Sequence, residues 1–140
     1  MSHKISLSRF IEQAGNIPAS LIRATVKQAG GWQSFTEDAP DISAHGADGG
    51  FSGFINYTDT VAFTKRNKAA ILEYAASMAQ DLGLESPEAL IAGFRCVDLF
   101  PTQVGEALYN PKSTNQTEVF NALAWFALEE VSRVYCDLTE

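Results

Sequence analysis

Between Asn115 and Tyr135 the chain places Val119, Phe120, Leu123, Trp125, Phe126, Leu128, Val131, Val134 and Tyr135. On a 3.6-residue period these side chains cover well over half of the helical wheel. A helix that is apolar on most sides must be surrounded by other elements. This segment therefore predicts the centre of a helical core. Asn115 and Glu118 stand at capping-box spacing and mark its start. No apolar run anywhere in the chain reaches the roughly 18 residues that a membrane span needs.

The partners for that central helix are found upstream. Leu7, Phe10, Ile11 and Ala14 recur at i, i+3, i+4, i+7 behind a capping Ser6, and Gly15-Asn16 ends the helix they predict. After Pro18, Leu21, Ile22 and Val26 form the stripe of a second helix over 19–29, stopped by Gly30-Gly31. Trp32 and Phe35 share one side of a short third helix over 32–38, which Pro40 is expected to break. A long helix is expected from a Thr58 or Asp59 cap to Leu82, closed by Gly83. Its stripe is Ile71, Ala75, Met78 and Leu82, and Lys65, Arg66 and Lys68 form a basic cluster in its early turns. Ser86-Pro87-Glu88 starts a helix to about Cys96, and a short helix follows from Pro101 or Thr102 to Tyr109. The sum is an all-α single domain over 1–140, an irregular bundle of six or seven helices. At most one short β-hairpin is expected, near residues 51–57.

The one non-helical stretch of note runs from Ala44 to Tyr57 and holds four of the ten glycines. Glycine at this density has a local reason: positive φ, or close approach to the backbone. A phosphate-cradling loop before a helix is one candidate, but the run is neither GxGxxG nor GxxxxGK[ST], and Asp48 and Asp59 would repel an anion. His45 with Asp41, Asp48 and Asp59 offers a metal site, or a general base oriented by Asp48. Against that, Asp48 has an ordinary use in capping a turn, and no nucleophile with a matched base is evident. Phe51, Phe54 and Tyr57 suit either a binding platform or a plug that seals the loop onto the bundle. No catalytic residue, cofactor or metal is assigned.

Charge is divided unevenly. Residues 1–70 carry seven basic and six acidic side chains, whereas residues 71–140 carry three and eleven, a net of −8 in that half. Such a field repels nucleic-acid phosphates and attracts basic protein surfaces. Glu118, Glu129 and Glu130 on the central helix, with Asp48, Phe51 and Tyr57 of the glycine-rich run, are the candidate partner-binding residues. Cys96 and Cys136 lie forty residues apart with no second thiol near either, which excludes a CxxC motif and reads as two small buried hydrophobes. The N-terminus has no apolar signal region, so a cytoplasmic location is expected, with no membrane association.

The run from His45 to Phe63, HGADGGFSGFINYTDTVAF, together with Gly93-Phe94-Arg95-Cys96, Glu106-Ala107-Leu108-Tyr109-Asn110 and the run from Asn121 to Glu130, resembles a family of small uncharacterised proteins of bacteriophages, prophages and other mobile elements. The likeness spans most of the chain from about Ile17 onward. It implies a context in which accessory proteins of this size inhibit host defence, anti-CRISPR proteins among them. The expectation is a non-enzymatic protein that occupies a basic surface of a host protein or ribonucleoprotein, without direct nucleic-acid contact. Two alternatives stand beside it: a small enzyme or metal-binding protein centred on His45 and Asp48, and a structural module that forms a homodimer.

Overall fold

The structure is a computed structural model that describes residues 5–45, 57–93 and 115–139, with only the backbone described at 41–45 and 57–60. Among the described residues it is an irregular bundle of seven helices with no strand. They are α1 (Leu7–Gln13), α2 (Ala19–Gln28), α3 (Trp32–His45), α4 (Tyr57–Arg66), α5 (Lys68–Asp81), α6 (Pro87–Gly93) and α7 (Gln116–Thr139). Residues 51–56 of the expected hairpin and the expected helix over 101–109 fall outside those described, as does the stretch from Phe94 to Cys96, whereas Tyr57 is helical and begins α4.

Helix α7 has 24 residues and touches each of the other six helices. All five side chains from Asn121 to Trp125 are buried, so along that stretch the helix is enclosed on every side. The apolar wheel dictates this outcome: leaving Leu123, Trp125 and Leu128 in water would forgo about 1.5–3 kcal/mol each. Two acceptor bonds to Asn115 Oδ1, from the N–H groups of Thr117 (3.0 Å) and Glu118 (3.2 Å), cap its start.

The most extensive packing against α7 comes from α3. There Phe10, Trp32, Phe35 and Tyr135 form one aromatic cluster with centroids 5.4–6.1 Å apart, combining stacked and edge-on pairs. Phe10 brings the short α1 into it, as the i, i+3, i+4 pattern requires. Ser6 caps α1 by accepting from Arg9 N–H at 3.2 Å, and Gly15 leaves it at φ +69°.

Two expected breaks fall elsewhere. Helix α3 does not stop at Pro40 but runs through it to His45. A proline inside a helix removes one hydrogen bond and costs about 3 kcal/mol. Phe35 and Ala39, both fully buried, lie just ahead of Pro40, and packing against α7 outweighs that local cost. The long helix expected over 59–82 is two helices instead, and the first begins at Tyr57, so neither Thr58 nor Asp59 is its cap. The break is at Asn67, where φ is −120° and ψ 31°. Both its N–H and its Nδ2 donate to the carbonyl of Phe63, at 2.9 and 3.0 Å. A side-chain amide that satisfies the last turn of α4 competes with helix continuation. The break also reverses the reading of the basic cluster. Lys65 and Arg66 occupy the last turn of α4, where the helix dipole favours cations, and Lys68 opens α5. Leu82 is the C-cap residue of α5 and is 58% exposed, so it does not extend the buried stripe of Ile71 and Ala75.

Candidate functional site

The turn that follows α1, together with α5 and α7, encloses a cleft of about 180 Å³ whose polar lining is Asn16, Tyr74, Ser77, Asp81 and Glu130. Tyr74 is buried on α5, between Ile71 and Ala75 in the core stripe, yet its hydroxyl reaches the cleft and donates to Glu130 Oε2 on α7. Ser77 Oγ donates to the carbonyl of Asn16 at 3.0 Å, and Asn16 Nδ2 donates to Asp81 Oδ2 at 3.5 Å. One α-helical face of α5 presents Tyr74, Ser77 and Asp81 at i, i+3, i+7, which is why three residues of one helix meet in one cleft. Further along α5, Glu73 accepts from Ser20 Oγ of α2 at 2.8 Å.

Two carboxylates therefore face a cleft that, among the described residues, no basic side chain lines. Burial pushes the Glu130 carboxyl above the usual glutamate value, and the Arg133 guanidinium one turn away pulls partly back. Arg133 itself is exposed and stands outside the cleft lining. The apolar floor is Ala14, Ile17, Met78 and Val134. Chemically the cleft offers acceptors to a cationic, hydrogen-bond-donating group with an aliphatic stem.

The candidate residues read from the sequence are dispersed. Glu130 is in the cleft. Glu129, its neighbour, is half-buried and engaged in an interaction of its own. Glu118 lies in the first turn of α7, half-buried, where a carboxylate complements the helix dipole. It is separated from Glu130 by twelve positions, roughly 18 Å along the axis, so the three glutamates do not make a single patch. Tyr57 begins α4, His45 ends α3, and Asp41 and Asp59 sit within those helices, each described by its backbone alone. Asp48 and Phe51, with Phe54, lie outside the described residues. Of the two cysteines, Cys136 is half-buried on α7 and packed against the core, and Cys96 is outside the described residues. Among the described residues no group of three His, Cys, Asp or Glu side chains is placed to hold a metal ion.

Tyr74, Ser77 and Asn16 were not singled out by sequence reasoning. The signal available was the polar row Glu73, Ser77, Asp81 running along an otherwise apolar α5. The basic cluster also separates. Arg66 donates to Gln28 Oε1 at 2.9 Å and shares a cavity with Lys27, whereas Lys65 and Lys68 border a different, apolar groove. No described helix is long and apolar enough to cross a membrane.

A family model described as a domain of unknown function, DUF7222, matches residues 18–140. No curated protein and no solved structure matches the chain.

Proposed function

The chain belongs to the DUF7222 family, and from its own surface we propose that it is a non-catalytic binding protein that seats a basic side chain of a macromolecular partner in the cleft between the turn after α1 and helices α5 and α7. The observation that carries this reading is the pairing of Asp81 and Glu130 across a cleft that, among the described residues, no cation lines. A lysine or arginine entering it would lay its stem on Ile17 and Met78 and place its charge between the carboxylates. The excess of acidic residues in the second half of the chain favours encounter with such a surface. Through the resemblance to mobile-element proteins, the partner we propose is a host defence complex, a CRISPR effector among the candidates, whose nucleic-acid channel supplies basic side chains.

The test is a phage-plaquing assay in a strain with an active CRISPR system and in its isogenic strain without one. Expression of the protein restores plaquing only in the first strain, and the Asp81→Asn, Glu130→Gln double variant, shown to be folded by a cooperative melting transition, does not. Equal plaquing with and without the protein removes the anti-defence reading. Full activity of the double variant removes the cleft.

A second reading, the homodimer, rests on Leu82 and Leu84, which are 58% and 41% exposed just beyond α5. Solution mass measured at two concentrations a hundredfold apart separates it from the first: a mass that stays at one chain excludes the dimer.

A further inference from the structure

On another part of the surface α4, α5, α6 and the start of α7 border an open groove of about 470 Å³, within the size range of small-molecule sites. Its walls are Val61, Leu72, Ile91 and Phe120. Lys65 and Lys68 stand on its rim, both exposed, and neither forms an ion pair among the described residues, although Glu88 borders the same groove.

Asn121 gives the groove a second, independent feature. Five polar side chains are buried among the described residues: Thr25, Thr64, Asn121, Ser132 and Thr139. Thr25, Ser132 and Thr139 donate to the carbonyls of Leu21, Leu128 and Tyr135 at 2.8, 3.2 and 2.9 Å, and Thr64 is partnered as well. Asn121 is 8% exposed, lines the groove and makes no hydrogen bond with any described residue. A buried amide without a partner is destabilising, and native structures keep few of them. A position flanked by apolar residues on α7 would be filled more stably by leucine unless the amide serves something that enters the groove.

We propose that this groove binds a small amphipathic anion, an apolar body ending in a carboxylate. The body lies on Val61, Leu72, Ile91 and Phe120, the carboxylate is held at the rim by Lys65 and Lys68, and the Asn121 amide donates to an oxygen of the ligand. This site is separate from the acid-lined cleft and independent of the function proposed for it.

The test is a fluorescence titration of the full chain with 8-anilinonaphthalene-1-sulfonate, an apolar body with one anionic group, followed by competition. The competitors are dodecanoate and dodecyltrimethylammonium, below their micelle concentrations, which share a tail and differ in charge. Saturable binding at one site, displaced at least tenfold more effectively by dodecanoate, is the expected result. The Lys65→Glu, Lys68→Glu double variant, altered only at exposed positions, loses tenfold or more in affinity for the probe. The Asn121→Leu variant melts at a higher temperature without ligand and shows a smaller melting shift on adding dodecanoate. Glu130→Gln leaves the titration unchanged. Absence of saturable binding, equal displacement by the cation, or undiminished affinity in the lysine double variant each overturns the proposal.

Discussion

Tyr74 of α5 donates its hydroxyl hydrogen to Glu130 Oε2 of α7, joining two helices across 56 positions of sequence. The tyrosine ring belongs to the core and the carboxylate to the cleft, so one contact ties the bundle's central helix to its candidate binding surface. Glu130 is placed by folding, not by its own helix.

That placement makes stability depend on pH in a definite direction. Burial raises the Glu130 carboxyl above its ordinary value of 4.5. Below about that pH the folded and unfolded chains both hold the proton, and the contribution is fully present. As pH rises toward the folded-state value, the unfolded chain releases its proton first, so the folded state is progressively disfavoured. Urea unfolding from pH 4 to 8 should show this component of stability falling with pH. Glu130→Gln, which cannot ionise, should flatten it, and an unchanged slope in that variant would contradict the account. Tyr74→Phe should cost about 1 kcal/mol through loss of the hydrogen bond.

Why α7 was legible and this contact was not follows from what periodicity encodes. The apolar positions of α7 report burial, and burial all round a helix leaves a centre as its only place. Leu21, Ile22 and Val26 on α2 report a buried face in the same way, and all three are buried. Periodicity does not say which residue of another helix lies opposite, so Tyr74 reads as one more core aromatic. Pro40 and Asn67 escaped for opposite reasons. At Pro40 a strong local signal is overridden by packing against α7. At Asn67 a weak local signal, one side-chain amide, divides a helix that the apolar stripe carries straight through. Of the run from His45 to Phe63 that carries the resemblance to mobile-element proteins, Val61 is placed in the groove lining, and among the described residues none of the run lines the cleft.

The aromatic cluster should be the least tolerant part of the bundle. Phe10 is fully buried, with ring centroids 5.5 Å from Tyr135 and 5.9 Å from Trp32. Phe10→Ala removes a ring and leaves a cavity, at a cost of about 3–5 kcal/mol. Against a typical total of about 5–15 kcal/mol this is a large fraction. Because α1 has only seven residues and Phe10 is its one fully buried side chain, the variant should also release α1. Denaturant midpoints measure the first effect. Faster amide exchange confined to residues 7–13 reports the second.

Asn115 is predicted to matter more than an exposed residue normally does. Its Oδ1 accepts from two N–H groups at the start of the helix that touches all the others. Asn115→Ala should cost about 0.5–2 kcal/mol, and Asn115→Asp, which keeps the acceptor and adds a charge favoured at a helix N-terminus, should restore most of it. Chemical denaturation of the three proteins side by side measures both differences. An aspartate variant as unstable as the alanine one would show that the side-chain cap is not what holds this end.

Pro40 offers the opposite prediction, a substitution that stabilises. The residue is exposed, lies inside α3 and has no N–H to donate to the preceding turn. Alanine restores that donor and removes the clash of the proline ring with the carbonyl one turn earlier, worth up to about 3 kcal/mol in a helix interior. Proline also restricts the unfolded chain, and losing that restriction returns about 0.4–1 kcal/mol in the other direction. The first effect is larger, so Pro40→Ala should raise stability by about 2 kcal/mol. For a bundle of this size that is a rise in melting temperature of several degrees. Pro40→Gly is the control: it restores the N–H but carries glycine's helix penalty of about 1 kcal/mol. It should therefore fall between the wild type and the alanine variant. A melting temperature lowered by Pro40→Ala would mean that the proline ring makes contacts α3 depends on, and that packing accommodates Pro40 by using its shape instead of overriding its cost.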